Sequence, residues 1–293
     1  MSTTESASAR FAGIEEWSPA ELVDGIVEGQ FAAIAAVKAA SASLAEAIER
    51  SAQRLEQGGR LIYVGAGTSG RIATQDAAEL PPTFNWPYER AVPVMAGGET
   101  ALTHAAEGAE DDGPAARTSL KELGLAANDV VIAVAASGRT PFAIAALETA
   151  RETGALAIGI FCNPGAAMAP VSDIPILLHT GSELIAGSTR MKAGTAQKAA
   201  LNCLSTGIMV RLGYVYSGLM VEMRATNIKL HRRAILMVAR LTGASEADAE
   251  QAFAASGESI KVATIMLAKG LERAGAEKRV AAAGGNLRRA MQG

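Results

Sequence analysis

Leu61-Ile62-Tyr63-Val64-Gly65-Ala66-Gly67-Thr68-Ser69-Gly70-Arg71 is the stretch from which the fold is read. A short β-branched and aromatic run ends in glycines, and a helical pattern beginning IATQDAAEL opens directly after it. A strand, a Gly-rich turn and a helix in that order aim backbone N–H groups and the positive end of the helix dipole at one point. That arrangement favours an anion, most often phosphate. Gly67 lets the backbone approach closely, and Thr68 and Ser69 add hydroxyl donors. The same residues spell GxGxxG. A dinucleotide fold needs an acid about 20 residues further on, at the end of the second strand. Here that region is PPTFNWPYER, and Glu89 precedes the next strand instead of ending it, which favours the phosphate reading. A tight turn with no ligand is the plain alternative, and it leaves Thr68 and Ser69 unexplained.

The pattern repeats along the chain. Upstream, Pro19 to Glu56 places apolar residues at helical spacing, and Gly58-Gly59 stops it. Downstream, Pro81-Pro82 is expected to break the first helix. AVPVMAG then reads as a strand and ETALTHAAEGA as a helix; DVVIAVA, ALAIGIFCN and IPILLHT read as further strands. A second loop of the same design, AASGRTP, follows an apolar strand and opens a helix with Pro141 in its first turn. It offers Ser137, Gly138, Arg139 and Thr140. Two such loops in one sheet predict a site across the carboxyl ends of the strands.

Near-continuous apolar strands alternating with helices predict an α/β fold with a doubly wound parallel sheet. N-terminal helices (1–50) precede this sheet domain (51–224), in which a long helical stretch runs from Gly187. A small helical module (225–293) follows, read as three short helices joined by glycine turns.

Composition narrows the function. Hydrophobic residues make up 49% of 293, aromatics only 4%, and the formal charge is −3. That balance excludes a general nucleic-acid binder, and charges interrupt every apolar run before it reaches the length of a membrane span. The first residues carry acids and no apolar core of a signal peptide, so a cytoplasmic protein is expected. Cys162 and Cys203 lie in apolar surroundings without CxxC spacing and read as reduced, packed thiols. No His/Cys/Asp cluster has metal-ligand spacing, so neither a metal nor a cofactor is expected.

Several stretches together are more specific than any glycine motif. GAGTSGR, AASGRTP and GSTRMKAGTAQK resemble the SIS (sugar isomerase) domain. With DAAELPPT, HAAEGAEDD, CNPG, ATNIKLH and AAGGNLRRAM, the chain from about Gly58 to its end is similar to the N-acetylmuramic acid 6-phosphate etherases. The glucokinase regulatory protein shares the SIS architecture but is much longer, with a duplicated domain. One departure concerns the N-terminus. Family members begin Thr-Glu-x-x-Asn-x-x-Ser before an Ile-Asp pair, whereas Thr4-Glu5 is followed here by SASARFAG.

The resemblance implies a phosphosugar-binding fold that usually dimerises, with Gly67, Thr68, Ser69, Ser137, Gly138, Arg139 and Thr140 holding the 6-phosphate. Asn227 and Lys229 match an etherase segment and are expected at the sugar. Ser188 is expected to cap the third helix or to donate to phosphate. Glu79 and Glu110, read from the residues alone, fit an exposed helix end and a charged turn better than a catalytic pair, since most glutamates are simply exposed. The resemblance implies general acid–base roles for both. In the ring-opened sugar the C2 hydrogen is α to an aldehyde, and a carboxylate can remove it. The lactyl ether at C3 then leaves by elimination, and water adds back. Glu110 is implied at C2, and Glu79 at the departing lactate and the incoming water, each with a pKa raised towards neutrality. A straight helix would put Glu79 on the order of 15 Å from the phosphate loop. Either the chain turns back before Glu79, or this residue serves a neighbouring subunit. Two other readings share the fold: a phosphosugar isomerase, which needs one base at C2, and a sugar-phosphate-sensing regulator, which needs neither acid.

Overall fold

The computed structural model describes residues 3–292. Five strands, β1 (Leu61–Gly65), β2 (Ala91–Met95), β3 (Val130–Val134), β4 (Leu156–Phe161) and β5 (Ile174–Leu177), form one sheet in the order β2-β1-β3-β4-β5. Every pairing is parallel. β1, β3 and β4 are buried at every position, as central strands covered on both faces must be, while edge strand β5 alternates buried and exposed residues. The helices in chain order are α1 (Pro19–Ala39), α2 (Ser41–Glu56), α3 (Gly67–Phe84), α4 (Gly113–Glu122), α5 (Pro141–Thr153) and α6 (Lys192–Arg211). After a small hairpin, β6 (Val215–Tyr216) and β7 (Leu219–Met220), come α7 (Ile228–Thr242), α8 (Glu246–Ala255), α9 (Ile260–Lys269), α10 (Arg273–Ala282) and α11 (Leu287–Gln292). The expected doubly wound α/β fold is present.

Two compact units make up the chain. One runs to Ala78 and resumes over Tyr88–Gly207; the other joins Glu79–Pro87 to the residues from Ile208 onward. In the first, Ile62, Val64, Val131, Phe142, Leu147 and Phe161 pack with a large set of buried alanines. Few aromatics means small side chains, and small side chains let helix and sheet approach closely. In the second, Val238, Phe253, Ile265 and Leu287 form a separate core. Trp86 meets Tyr214 edge-on there, with ring centroids 5.6 Å apart. Lys261 is buried beside the same tyrosine ring, paired with Glu222 and donating to the Gly285 carbonyl.

Several expectations need correction. Pro81 and Pro82 do not end α3, which continues to Phe84 and stops at Asn85 in the left-handed region. The two prolines remove hydrogen bonds only from the last turn, and their fixed φ suits a helix. ETALTHAAEGA is no α-helix but two 3₁₀ turns, Glu99–Leu102 and Ala109–Asp111, because Gly98 and Gly108 hold positive φ at their starts. Among the described residues the C-terminal region has five helices where three were expected; α7, α8 and α9 are capped by Asn227, Ser245 and Ser259 at their starts, and α7 and α9 by Gly243 and Gly270 at their ends. α4 and the β6–β7 hairpin were not anticipated. Cys162 is buried, but Cys203 is exposed.

A single buried carboxylate ties the bottom of the sheet together. Asp129, just before β3, accepts from the Arg60 backbone N–H at 2.9 Å, from its guanidinium at 2.6 Å and from the Ala126 N–H at 2.9 Å. Arg60 also donates to the carbonyls of Leu123 and Gly124. Burial acts to raise the Asp129 pKa, but the Arg60 hydrogen bonds, the Ala126 N–H and the Arg60 charge outweigh it and hold it below its ordinary value. A carboxylate depressed in the folded state stabilises fully above its unfolded pKa and loses that contribution as pH falls through the folded one. Asp129→Ala leaves Arg60 facing an empty partner and should cost about 3 kcal/mol in urea unfolding at pH 7. The difference from wild type should shrink as the pH is taken below that of an ordinary aspartate.

Candidate active site

Connections leave β1 and β3 towards opposite sides of the sheet, so the carboxyl ends of these two neighbours form the crevice where such folds hold ligands. Both glycine loops end there. The first turns because Gly65 and Gly70 touch. A Cβ on Gly70 would lie 2.3 Å from Met95 Sδ and 2.6 Å from the Gly65 carbonyl oxygen; one on Gly65 would lie 2.8 Å from the Gly70 backbone. The first turn of α3 therefore sits directly on the end of β1. The Gly70 N–H already bonds the Ala66 carbonyl, which leaves the N–H groups of Gly67, Thr68 and Ser69 as the free first-turn donors of the helix.

The side chains around this turn divide into two sets. Ser69 is buried, and its hydroxyl donates at 2.9 Å to Oε1 of Gln197 on α6, so its side-chain proton is engaged inside the protein. Thr68 instead lines a cavity of about 440 Å³ with Ala66, Gly67, Arg71, Glu107 and Glu110. Arg71 builds the far wall. Its guanidinium donates at 3.0 Å to the carbonyls of Ala101, Leu102 and His104, holding that segment against the start of α3. Glu110 follows on a 3₁₀ turn, and Asp112 caps α4 just beyond through the Ala115 N–H at 2.9 Å. The first glycine loop and one of the two expected acids thus share one cavity.

The second loop is equally constrained. Gly138 has φ +65°, and a Cβ there would lie 2.4 Å from Ala166 Cβ. Ser137 Oγ accepts the Arg139 N–H at 3.1 Å, Thr140 is buried before Pro141, and the Arg139 side chain is exposed.

The third expected element differs. α6 starts at Lys192, and Ser188 lies in the turn before it, its N–H bonded to the Ile185 carbonyl. Glu183 is the cap. Its two carboxylate oxygens take the N–H groups of Lys192 at 3.0 Å and Ala193 at 2.9 Å, with the side chain almost wholly buried. A fixed carboxylate already satisfies the helix end where Ser188 was expected to act. Burial, and the neighbouring Glu183, push the Cys162 thiol up to about 12, so it is not a nucleophile at neutral pH.

In the second unit, Asn227 caps α7 through the Leu230 N–H at 2.9 Å, and Lys229 is exposed on the first turn of that helix. Glu79 belongs to this unit and is exposed on α3, which runs unbroken past it. No group of His, Cys, Asp or Glu among the described residues has the arrangement of a metal site. Sequence reading missed Arg71 and Gln197 as site builders, and it placed Glu183 before the third helix but gave the cap to Ser188. Only the partners 30, 10 and 128 positions away give them meaning.

The model of the glucokinase regulatory protein N-terminal SIS domain matches residues 43–151, and that of the SIS domain matches residues 117–206. An N-acetylmuramic acid 6-phosphate etherase of Deinococcus radiodurans is 48% identical over 98% of this chain and 94% of its own length. The chain belongs to the N-acetylmuramic acid 6-phosphate etherase family. Relatives of the same name from Escherichia coli and Caldanaerobacter subterraneus are each 44% identical, covering 98% and 99% of this chain and 97% and 94% of theirs.

In the first loop, the Gly65–Gly70 contact leaves no room for a side chain. Gly70→Ala must push α3 away from β1 or displace Met95. It should cost about 2 kcal/mol of stability, the usual penalty for overpacking a filled core. Urea unfolding measures this, and a change below a few tenths of a kcal/mol would mean that the turn relaxes freely.

Proposed function

We propose that the chain cleaves the D-lactyl ether of N-acetylmuramic acid 6-phosphate by elimination and hydration, giving N-acetylglucosamine 6-phosphate and D-lactate. The observation that carries this reading is the cavity that joins the first-turn N–H groups of Gly67 and Thr68 to the carboxylate of Glu110, in a chain of the etherase family. The phosphate sits at the α3 N-terminus, with the Ser137–Thr140 loop completing its cradle. Glu110 removes the C2 proton of the open-chain sugar. Glu79 protonates the departing lactate oxygen and then takes a proton from the incoming water. Asn227 and Lys229 contact the sugar, and Ser188 lies at the margin of the cradle.

Glu79 works in the site of a second copy. α3 is continuous from Ser69 to Glu79, so the chain does not turn back, and ten residues of helix span about 15 Å. A hexose phosphate places its reacting carbons only some 6–7 Å from phosphorus in a pre-organised site. A homodimer is supported independently by α1, where Val23, Val27, Phe31 and Ile34 recur at helical spacing and are 47% to 73% exposed. The protein works in the cytoplasm, where a phosphorylated amino sugar is formed and used. No single helix among the described residues is long and apolar enough to cross a membrane.

Elimination cleaves the bond between C3 and oxygen on the sugar side. In water enriched in heavy oxygen, the label should enter the sugar product, and the released lactate should carry none. In deuterated water C2 should acquire deuterium, because its proton is removed and replaced. Mass spectrometry of both products reads the result, and label confined to lactate would sink the mechanism. An isomerase would release no lactate at all.

A further inference from the structure

Asn163 lies two residues beyond the end of β4 and is 1% exposed. Its side chain is fully used. Oδ1 accepts the Thr3 hydroxyl at 2.8 Å and the Thr4 backbone N–H at 3.1 Å. Nδ2 donates to the Thr4 hydroxyl and to the Ala136 carbonyl, both at 2.9 Å. Two donors and two acceptor sites are filled, the full capacity of an amide. Thr4 is 0% exposed, and its own carbonyl accepts the Gly187 N–H at 3.0 Å. The carboxylate of Glu5 lies so close to Gly187 that a Cβ there would be 2.9 Å from Glu5 Oε2.

Ala136 is the residue before Ser137. Its carbonyl takes a second hydrogen bond from the Cys162 N–H at 3.0 Å, so two consecutive residues after β4 grip one oxygen. A trans peptide unit is planar, with C=O and N–H pointing opposite ways. Gripping the Ala136 oxygen therefore sets the direction of the Ser137 N–H, at the mouth of the second glycine loop. Across the strap, the Thr4 carbonyl fixes the Gly187 N–H, one residue before Ser188. The first residues of the described chain thus tie two turns together, one after β3 and one before α6.

We propose that Thr3–Glu5 is a strap that Asn163 locks across the carboxyl ends of β3 and β4. Thr4 and Asn163 are positioning residues that pre-aim the Ser137–Thr140 loop at the sugar phosphate. This rests on the phosphate assignment made above, and it adds the N-terminal segment to the machinery of the site. Neither residue touches substrate. Their effect is on affinity, through the conformation of the loop.

The test uses the full chain with Thr4→Val, Thr4→Ser and Asn163→Ala, and Ser137→Ala as the control for the phosphate assignment. Affinity is read by titration calorimetry with inorganic phosphate and as KM for the sugar phosphate. Thr4→Val removes the acceptor for a buried N–H, and Asn163→Ala removes the whole lock. Each should raise KM and the phosphate Kd about tenfold while kcat stays within about twofold. Thr4→Ser keeps the hydroxyl and should restore wild-type affinity. A role confined to stability would lower Tm and leave KM of the folded enzyme unchanged, and that result overturns the proposal. If Ser137→Ala weakens phosphate binding but Thr4→Val does not, the strap is refuted and the phosphate assignment stands. If Ser137→Ala has no effect, the assignment fails and takes the strap with it. Should Asn163→Ala not fold, the Thr4 pair decides alone.

Discussion

The contact between Gly65 and Gly70 is the constraint on which the site depends. With no side chain on either residue, the first turn of α3 rests on the last residue of β1, and the Met95 thioether closes over it. Any Cβ would force the two apart. Because they touch, the free N–H groups of the helix start are held beside the carboxyl end of the sheet, where they can meet an anion without reorganising. Arg71, one residue on, then ties the 101–104 segment to the same turn and so brings the Glu110 side of the chain to it. A set of free N–H donors and a carboxylate reach one cavity through a single close approach.

The lower end of the sheet has its own fastening, Asp129 with Arg60, and the two ends differ in chemistry. At the amino ends of β1 and β3 a buried carboxylate is matched by a cation and backbone N–H groups. At the carboxyl ends, free N–H groups and Thr68 border a cavity. Charge satisfied within the fold gives stability, and donor capacity left over gives binding. Glu183 marks the boundary between the two uses, since it satisfies the α6 start from inside the protein.

Much of this was legible in the sequence where a pattern is local. LIYVG and VVIAV announce buried strands because their burial is continuous, and a glycine loop between strand and helix announces the tight turn that opens α3. The failures have physical reasons. ETALTHAAEGA has the composition of a helix, but Gly97, Gly98 and Gly108 take positive φ and divide it into turns. Pro81-Pro82 looks like a stop, yet prolines in a last turn remove only bonds that the helix can spare. Gln197 lies 128 positions along the chain from Ser69, and only the fold brings the two together. Ser69 shows the limit of motif reading: its place in the loop was clear, but its hydroxyl turns inward to Gln197.

The central claim is that a phosphate cradle and two carboxylates release lactate from an ether. The direct measurement is D-lactate formed when the purified protein is incubated with N-acetylmuramic acid 6-phosphate, beside the Glu79→Gln variant. The account predicts steady release of lactate by the wild type, and release at least about a hundredfold slower by the variant, the usual effect of removing a general acid–base group. Absence of lactate from the wild type, or equal rates for both proteins, would contradict it.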